Sequence, residues 1–404
     1  MYLLECFTKA HIDNLTACLR LKPKKLFLLG DGNLIHPEIK KYKDFLEKRI
    51  PDIEVSPCDI AGKDVHDICQ LLLPLLTNKQ KWVIDLTDGD TLAVMAVGAV
   101  LARLDPEDRQ RIQVRKQLDD RIVDCLTNES LSEPPVTLSV KEMIGLHGGT
   151  LHPSKSAFSD EVTTADLQQL WEVVSNEPKD WNNAIRYLTE FESRADSDSQ
   201  IFLHLDYIRG TIRNFDEKKE VVQALLNQFL NSGIIKGRIS NKIWEYSYTS
   251  SLLRYCTKTP GNVLEVKTLL EARELRKEGV PYFYDCQMGV KIDWDGVIHK
   301  QAEKTPDTEN EIDIIAVHDA TPLFISCKNG TVEEEELYKL HTVATRFGGP
   351  YAKKMLIATH LNQKSVASNR ALAQRAWDMD IYLITDAGKL SKAEWREEIL
   401  QAMQ

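Results

Sequence analysis

Residues 310–329 read NEIDIIAVHDATPLFISCKN, and this stretch decides how the C-terminal part of the chain folds. Glu311 and Asp313 alternate with isoleucines over a run of apolar residues. Successive side chains of a strand point to opposite faces, so the two acids share one face of a predicted strand over 311–318 while the isoleucines pack on the other.

Ser326 and Lys328 alternate with Cys327 in the same way, which predicts a second strand over 323–328. The five residues 318–322 can form a tight connection, which would make the two strands antiparallel neighbours. This pairing puts Asp313 opposite Cys327 and Lys328, and an acid then lies beside a lysine.

The elements around this pair follow the order helix, three strands, helix, strand, which is an αβββαβ arrangement. They are a helix over 262–277, strands over 285–294, 311–318 and 323–328, a helix over 333–347, a strand over 354–359, a helix over 364–379 and a strand over 381–385.

An acid beside a lysine suits metal-assisted phosphodiester hydrolysis. Carboxylates supply the hard oxygen ligands of a divalent ion, which neutralises the phosphate and activates water, and a lysine can orient or deprotonate that water. Asp313 is the first candidate ligand and Lys328 the candidate catalytic cation. Glu265 lies at the edge of the apolar stripe of helix 262–277 and can reach the same site. Glu311, Ser326 and Cys327 complete the candidate set, with Cys327 counted among the metal ligands.

A structural interpretation remains open for the same residues. Glu311, Asp313 and Lys328 can form a cross-strand ion pair on an exposed face of any antiparallel hairpin. The glutamates over 333–336 are typical of a solvated helix N-terminus, although Glu335 and Glu336 can also contribute to a metal site.

The first 150 residues alternate short apolar runs with amphipathic stretches, the pattern of a parallel sheet covered by helices. The predicted strands are 2–6, 26–30, 53–56, 82–87, 111–115 and 122–126; the predicted helices are 11–20, 36–49, 65–76 and 91–103, and 135–146 closes the domain.

Polar, glycine-bearing turns follow two of these strands, at 30–33 and 87–91, and the loop 6–9 after the first strand lies on the same edge. Ligands of parallel sheets bind beyond the carboxyl ends of the strands, where helix N-termini present amides to anions. The candidate ligand-binding residues are Thr8, Lys9, Asp31, Gly32, Asn33, Thr87, Asp88, Gly89, Asp90 and Thr91. Turns of this composition also occur in doubly wound folds that bind nothing there.

From 158 to 248 the apolar period is helical, which favours a helical connector, with a small winged-helix-like unit turning at 233–237 as the alternative. Trp244, Tyr246 and Tyr248 alternate; such residues can stack bases, but alternating aromatics more often pack in a core.

The stretches 261–265 (GNVLE), 310–314 (NEIDI) and 326–329 (SCKN) together resemble the motifs of the PD-(D/E)XK nuclease superfamily. More specifically they resemble CRISPR-associated effectors that join a CARF sensor domain to such a nuclease, and the helix ending RFGG at 346–349 fits the same family. Ser326 stands where that family's pattern usually has an acid.

The element DLTDGDT at 85–91, ahead of Met95, resembles the D-L-T-G-G-T-K-x-M type motif of CARF domains. It departs from that motif in Asp88 and Asp90 and in lacking a basic residue after Thr91. The resemblance implies a cyclic oligoadenylate activator, most often cyclic tetra-adenylate, bound across the two-fold axis of a homodimer.

The expected fold is therefore α/β, with a Rossmann-like CARF domain, a helical middle segment and a C-terminal restriction-endonuclease-like domain of αβββαβ order. The expected domains are 1–152, 153–258 and 259–404.

Composition narrows the partners. The formal charge of -10 argues against nonspecific coating of nucleic acid, which needs many Lys and Arg contacts to phosphates. The eight cysteines show no C-x-x-C pair, which favours reduced thiols, and no long apolar run predicts a membrane segment, so a cytoplasmic protein is expected.

The predicted activity is that of a metal-dependent endonuclease that uses Mn²⁺ or Mg²⁺. The resemblance implies cleavage of DNA, RNA or both, with single-stranded regions favoured, in type III CRISPR antiviral defence. Two alternatives stay open: a repair or resolvase nuclease without nucleotide control, and a nonenzymatic sensor whose nuclease domain is disabled by Ser326.

Overall fold

The computed structural model describes residues 1–118, 121–152, 162–176, 178–197, 199–296, 309–349, 351–361 and 365–404. The chain divides into two compact units, Met1–Thr137 and Leu138–Gln404. This division lies earlier in the chain than the predicted boundary at 152, and the three predicted domain ranges remain a prediction.

The first unit is built on one seven-stranded sheet with helices between its strands. Its elements are β1 (Tyr2–Cys6), α1 (Asp13–Leu21), β2 (Lys25–Gly30), α2 (Gly32–Leu46), β3 (Glu54–Asp59), α3 (Val65–Leu76), β4 (Trp82–Asp85), α4 (Thr91–Arg103), α5 (Pro106–Arg109), β5 (Ile112–Gln117), β6 (Ile122–Asp124) and β7 (Ser130–Leu131).

The strand order is β3-β2-β1-β4-β5-β6-β7, and the first five of these run parallel. The chain leaves β1 toward β2 on one side and leaves β4 toward β5 on the other, so the order reverses between β1 and β4. Ligand crevices of open α/β sheets form at such a reversal, beyond the carboxyl ends of the strands. The predicted doubly wound architecture is confirmed.

A cluster of charged side chains is buried at that end of the sheet. Glu5 on β1 is the register neighbour of Asp85 on β4, and Asp85 forms an ion pair with the fully buried Arg115 of β5. Arg115 also pairs with Glu133 at 3.1 Å. One oxygen of Glu5, Oε2, is buried without a hydrogen-bond partner among the described residues, so its ionised form is poorly compensated.

The second unit begins with α6 (Val140–Leu146) and β8 (Thr150–Leu151), followed by a mixed region. That region contains α7 (Thr164–Asn176), α8 (Pro178–Glu192), β9 (Ile201–His204), α9 (Leu205–Ile208), α10 (Phe215–Asn231), β10 (Ile235–Ile239), β11 (Ile243–Tyr248) and α11 (Ser251–Cys256). The middle segment is largely helical, as predicted, but β10, β11 and β9 also form an antiparallel sheet. The winged-helix-like alternative was considered for a turn at 233–237, but residues 235–237 of that segment belong to β10. Phe158, where the predicted helical period begins, lies outside the described residues.

The rest of the unit follows the predicted αβββαβ order and adds a final helix. Its elements are α12 (Asn262–Glu274), β12 (Arg276–Lys277), β13 (Val280–Pro281), β14 (Asp285–Asp293), β15 (Glu309–His318), β16 (Thr321–Gly330), α13 (Glu334–Gly348), β17 (Lys353–Leu361), α14 (Val366–Asp378), β18 (Ile381–Ile384) and α15 (Lys392–Gln401). The main sheet has the order β18-β17-β16-β15-β14-β8. Lys364, the predicted start of the penultimate helix, lies outside the described residues.

Helix α12 is the centre of this unit because it is buried on nearly every side, including Lys267 and Glu271. Those two side chains form an ion pair of 2.7 Å, which makes their burial tolerable. Since α12 cannot shift without disturbing the core, it holds Glu265 in a fixed position. None of the described helices has the length and apolar character needed to cross a membrane.

The buried Glu5 generates a prediction about pH and stability. Burial, and then the charge of Asp85, raise the pKa of Glu5 well above its ordinary value. A carboxyl group with a raised folded-state pKa costs stability once the pH exceeds its unfolded pKa, which is about 4.3 for Glu. Glu5→Gln should therefore unfold at higher urea concentration than wild type at pH 8, and the gain should shrink as the pH approaches about 4.

Glu54→Gln is the matched control, because Glu54 is an exposed β-strand glutamate that pairs with Lys25 at 2.9 Å. Its pKa is lowered by Lys25, so its replacement should give no gain at pH 8. Equal urea midpoints for Glu5→Gln and wild type across this range would contradict the prediction.

Candidate functional site

The hairpin that carries the predicted acid and lysine is tighter than the sequence indicates. β15 ends at His318 and β16 begins at Thr321, so the turn contains only two residues, and Asp319 takes a left-handed conformation (φ 54°). The ladder runs from His318–Thr321 to Ile314–Ile325. Its continuation puts Asp313 level with Ser326, one residue before the predicted partner Cys327.

The Asp313 carboxylate lies where the two strands part. Its Oδ2 accepts the backbone N–H of Cys327 at 2.6 Å and the Ser326 hydroxyl at 3.3 Å. Burial raises the pKa of Asp313, while these two donors and Lys328 oppose the rise. Both donors use the same oxygen, so Oδ1 is the atom that can face a cation.

Glu265 approaches from α12, as predicted. Burial, followed by the charges of Asp313 and Glu311, raises the pKa of Glu265 to about 7, while the charge of Lys328 opposes the rise. Carboxylates that raise one another's pKa are close enough to interact electrostatically. Asp313 and Glu311 line one cavity, and Glu265 is near enough for their charges to act on it.

Lys328 reaches the same place but does not pair with the acids of its own hairpin. Its Nζ lies 2.9 Å from Glu336 of α13, and Glu311 faces Lys291 of β14 at 3.9 Å. The cross-strand ion pair of the structural interpretation is thus formed by Glu311, but with its register partner Lys291 on β14 and not with Lys328. A small cavity of about 20 Å³ lies between these side chains, lined by Glu311, Ile312, Asp313, Ser326, Lys328, Glu336, Lys339 and Leu340.

The Cys327 side chain points away from that cavity. Its Sγ lies 3.8 Å from the Thr268 hydroxyl in the buried interior, and burial raises the pKa of the thiol well above its ordinary value. A thiol must lose its proton to ligate a metal, so this side chain does not act as a thiolate ligand. The candidate ligand atom of Cys327 is its carbonyl, because the N–H and C=O of one strand residue face the same side and the N–H faces Asp313.

Asn329 is a site residue that the sequence did not single out. The ladder with β17 is irregular between Lys328 and Gly330, which turns Asn329 out of register. Its Nδ2 donates to Asn182 of α8 at 2.8 Å, and Asn182 donates back to the Asn329 carbonyl at 2.5 Å. Thr359 of β17 donates to its Oδ1.

The same amide lies 3.4 Å from the carbonyl of Pro260, two residues before α12 begins. The Trp181 indole N–H donates to that carbonyl at 3.0 Å. Asn329 thus ties the end of the Lys328 strand to the start of the Glu265 helix and to α8. No sequence pattern marks these contacts, because they join residues far apart in the chain.

Lys339 is a second residue that was not predicted, and Glu336 was assigned mainly to a solvated helix face. Both flank the buried positions Leu337 and Leu340 of α13. Glu265 likewise lies at the edge of the apolar stripe of its own helix. The hydrophobic periodicity that identified Glu265 could therefore have identified Glu336 and Lys339 as well.

The fit of a metal ion depends on the donor set. No group of three or more His, Cys, Asp and Glu side chains with ligand geometry occurs among the described residues. The carboxylates of Asp313 and Glu265 nevertheless suit a divalent ion, since burial and then the charge of Asp313 raise the pKa of Glu265, and a cation would offset both effects. Two carboxylates completed by water and substrate phosphate are a usual Mg²⁺ environment.

In the first unit, the loops after β1 and β4 meet at the reversal of strand order. The Thr8 hydroxyl donates to Asp88 Oδ2 at 2.9 Å. The fully buried Asn14 holds the Thr8 loop through two bonds of 2.8 Å to the backbone of Thr8. Thr87 is fixed by Asp85 and by the Gln117 backbone, so the buried charge cluster shapes this loop.

The helix N-termini at these loops are capped by the chain's own carboxylates. Asp31 accepts from the backbone of Asn33 at 2.9 Å, and Asp90 accepts from the backbone of Leu92 and Ala93. The expectation that these termini present free amides to an anion therefore holds only in part. Lys9 and Thr91 are exposed beside them.

Two glycines are fixed by close approach. A Cβ on Gly32 would lie 2.5 Å from the Asp59 carboxyl, which accepts the Gly32 N–H at 2.8 Å. Gly89 has φ 125°, and a Cβ there would lie 2.4 Å from that of Cys6.

The alternating aromatics of β11 belong to the core. Trp244 and Tyr246 are almost fully buried, and the hydroxyls of Tyr246 and Tyr248 both donate to Glu192. These rings are not available to stack on a base.

The C-terminal region is similar in sequence to a known protein family. Residues 255–397 match the family model described as "Card1-like, endonuclease domain". This region is similar to Card1-like endonuclease domains. The match includes every predicted catalytic residue of the site described above, and it confirms the family predicted for this part of the chain.

Solved structures extend the likeness over the whole chain as a fold. Protein VC1899 from Vibrio cholerae aligns with a TM-score of 0.71 at 14% identity, covering 99% of this chain and 97% of that one. Can2 from Sulfobacillus thermosulfidooxidans, solved in complex with cyclic tetra-adenylate, aligns with a TM-score of 0.62 at 14% identity, covering 100% and 99%. A search of curated protein sequences found no match.

The amide pair Asn182–Asn329 generates a prediction. Asn182→Ala removes two hydrogen bonds and leaves partners at Asn329 unsatisfied in a part-buried position, so it should destabilise the second unit by about 1–3 kcal/mol. Asn183→Ala is the matched control, because Asn183 is the exposed neighbour on α8 and should change stability by no more than about 0.5 kcal/mol. Urea unfolding of the full chain measures both, and equal midpoints for the two variants would refute the role assigned to the pair.

Proposed function

We propose that this protein is a metal-dependent endonuclease of the PD-(D/E)XK type, controlled by a cyclic oligoadenylate. The observation that supports it most is the convergence of Asp313, Glu265 and Lys328 in the matched endonuclease domain. These groups come from two strands and a buried helix, so the arrangement does not follow from one local motif.

The proposed metal ligands are Asp313, Glu265 and the carbonyl of Cys327. A divalent ion held there would neutralise the scissile phosphate and lower the pKa of the attacking water. Lys328 is placed to orient that water or to offset charge on the phosphate, since it lines the small cavity together with Asp313. The cavity volume of about 20 Å³ is that of one water-sized ligand.

Ser326 changes what this site can do, because it replaces an acid with a hydroxyl. Its Oγ donates to Asp313, so it positions the remaining carboxylate and adds no negative charge. With fewer carboxylates the site holds its metal ion more weakly. Mg²⁺ is strongly hydrated and gives up its water ligands reluctantly, whereas Mn²⁺ binds such ligands more tightly. We therefore expect Mn²⁺ to support activity better than Mg²⁺.

The test of this proposal is cleavage of plasmid DNA and single-stranded RNA by the full chain with Mn²⁺ and cyclic tetra-adenylate. Asp313→Asn and Lys328→Ala should each lower the rate by at least about 100-fold, because each removes a group that acts on the transition state. EDTA should abolish cleavage, and Mn²⁺ in excess should restore it.

Lys277→Ala is the control, since Lys277 is an exposed lysine on β12 outside the cavity. Wild-type rates in Asp313→Asn would exclude this site as the catalytic centre. A wild-type protein that stays inert with Mn²⁺ and every cyclic oligoadenylate would support the alternative of a nonenzymatic sensor, and cleavage independent of cyclic nucleotides would support a repair or resolvase nuclease.

The proposed activator site is the reversal between β1 and β4 in the first unit. Thr8, Asp88 and Asp90 supply hydrogen-bonding side chains that suit the amino and hydroxyl groups of adenosine, and Lys9 supplies an exposed cation for a phosphate. Asp31, Gly32, Asn33, Thr87, Gly89 and Thr91 form the remaining rim. Can2, which shares the fold, was solved with cyclic tetra-adenylate, and this supports the choice of ring.

The outer face of α4 supports a homodimer. The helix TLAVMAVGAVLAR has no charged residue before Arg103, and its exposed side includes Leu92 and Met95. A helix that is apolar all round is normally buried on all sides, so this face needs a partner. A second copy of the chain is a suitable partner. A cyclic oligoadenylate with two-fold symmetry can be bound by the same loops from each of two identical subunits.

The dimer is tested by Leu92→Lys, which places a charge on that face. Size-exclusion chromatography with light scattering should show a dimer for wild type and a shift of at least about tenfold in its dissociation constant for the variant. Leu126→Lys is the matched control, because Leu126 is a similarly exposed leucine of the same unit, 47% against 43%. A monomeric wild type at micromolar concentration with the activator present would overturn the dimer.

Further parts of the proposal rest on the family resemblance. They are cleavage of DNA, RNA or both, preference for single-stranded regions, a role in type III CRISPR antiviral defence and a cytoplasmic location. The domain ranges 1–152, 153–258 and 259–404 are proposed in the same sense.

A further inference from the structure

A second cavity lies beside the catalytic one in the endonuclease domain. It has a volume of about 370 Å³ and is lined by Trp294, Asn310, Tyr338, Lys339, Thr342 and Val343. Lys339 lines both cavities, so the two are neighbours along α13. We call this second cavity the α13 groove.

The α13 groove presents aromatic side chains that are held in place. Tyr338 is 45% exposed, and its hydroxyl accepts a hydrogen bond from Arg375 of α14 at 2.8 Å. Trp294 stands edge-on to Phe347, with ring centroids 5.1 Å apart. Fixed aromatic rings at an open groove lose little conformational entropy when a flat ligand stacks on them.

The charge and polar groups of the groove favour a nucleotide over an apolar ligand. Lys339 supplies a cation at the end nearest Asp313, where it already acts on the pKa of that carboxyl. Asn310 supplies an amide that can both donate and accept, and Thr342 supplies a hydroxyl. An aromatic wall, a cation and an amide are the elements with which proteins bind single-stranded nucleic acid.

We infer that the α13 groove binds one unpaired base of the substrate, in the nucleotide next to the scissile phosphate. The inference rests on the proposed nuclease function and adds a structural basis for substrate choice. A base within a duplex is paired on its edge and stacked on both faces, so it cannot enter the groove without unstacking. Lys339 then contacts a backbone phosphate between the groove and the catalytic cavity.

The first test measures binding separately from cleavage. Single-stranded oligonucleotides with one 2-aminopurine, moved position by position, are titrated with the full-length Lys328→Ala protein. One position should lose fluorescence strongly on binding because the base stacks on an aromatic ring. The loss should disappear in Lys328→Ala combined with Tyr338→Ala and should persist when Tyr338→Phe replaces it, since the phenyl ring remains.

Trp377→Ala is the matched control for loss of an exposed aromatic, because Trp377 is 79% exposed on α14 and lines neither cavity. It should leave the fluorescence change intact. Equal quenching at every position, or quenching at the special position that survives Tyr338→Ala, would overturn the inference.

The second test uses cleavage by the otherwise wild-type protein. An abasic nucleotide at the position that shows quenching should lower the cleavage rate by about tenfold in the wild type. In Tyr338→Ala the same abasic nucleotide should lower the rate much less, because the ring on which the base stacks is already absent. If cleavage proceeds but the abasic penalty is the same in both proteins, the groove assignment fails and the nuclease stands. If no substrate is cleaved while position-specific quenching is seen, the nuclease proposal fails and the groove stands.

Discussion

The candidate site depends on a single contact, the hydrogen bond from the backbone of Cys327 to the carboxylate of Asp313. β15 pairs with β16 only as far as Ile314–Ile325, but it continues alongside β14, and β16 continues alongside β17. The sheet therefore opens between its two central strands. The Asp313 side chain replaces the missing backbone acceptor. Its Oδ2 therefore stabilises the fold, and its Oδ1 is left to bind a ligand.

Hydrophobic periodicity was enough to predict the elements but not their register. Strand and helix positions follow from which side chains are apolar, so β1, α3 and α4 were predicted with their observed bounds. Register in a hairpin depends on the turn. The two-residue turn forms here because Asp319 adopts a left-handed conformation. An aspartate can adopt that conformation but does not have to, so the residue type alone does not predict the turn. The acid and the lysine meet because the observed register puts Asp313 level with Ser326, and Ser326 and Lys328 lie on the same face of β16.

Contacts between polar side chains distant in sequence could not be predicted. Asn329 and Asn182 are ordinary loop-and-helix residues by pattern, and only the fold brings their amides together. The caps Asp31 and Asp90 are a different case, since Asp before a helix is a recognisable N-cap. Recognising them as caps would have shown that these carboxylates already occupy the helix amides where an anion was expected.

Helix α13 is the element through which substrate can act on the site. Lys328 is paired with Glu336 of that helix, but both side chains are partly exposed, at 26% and 34%, and such pairs contribute only about 0–1 kcal/mol. A phosphate can therefore replace Glu336 as the partner of Lys328 at little cost. The same helix carries Lys339 and Tyr338 on its exposed side. A single strand of nucleic acid that lies along α13 therefore meets the α13 groove first, then Lys339, and then Lys328. Lys328 can then be held in position by Glu336 until substrate arrives.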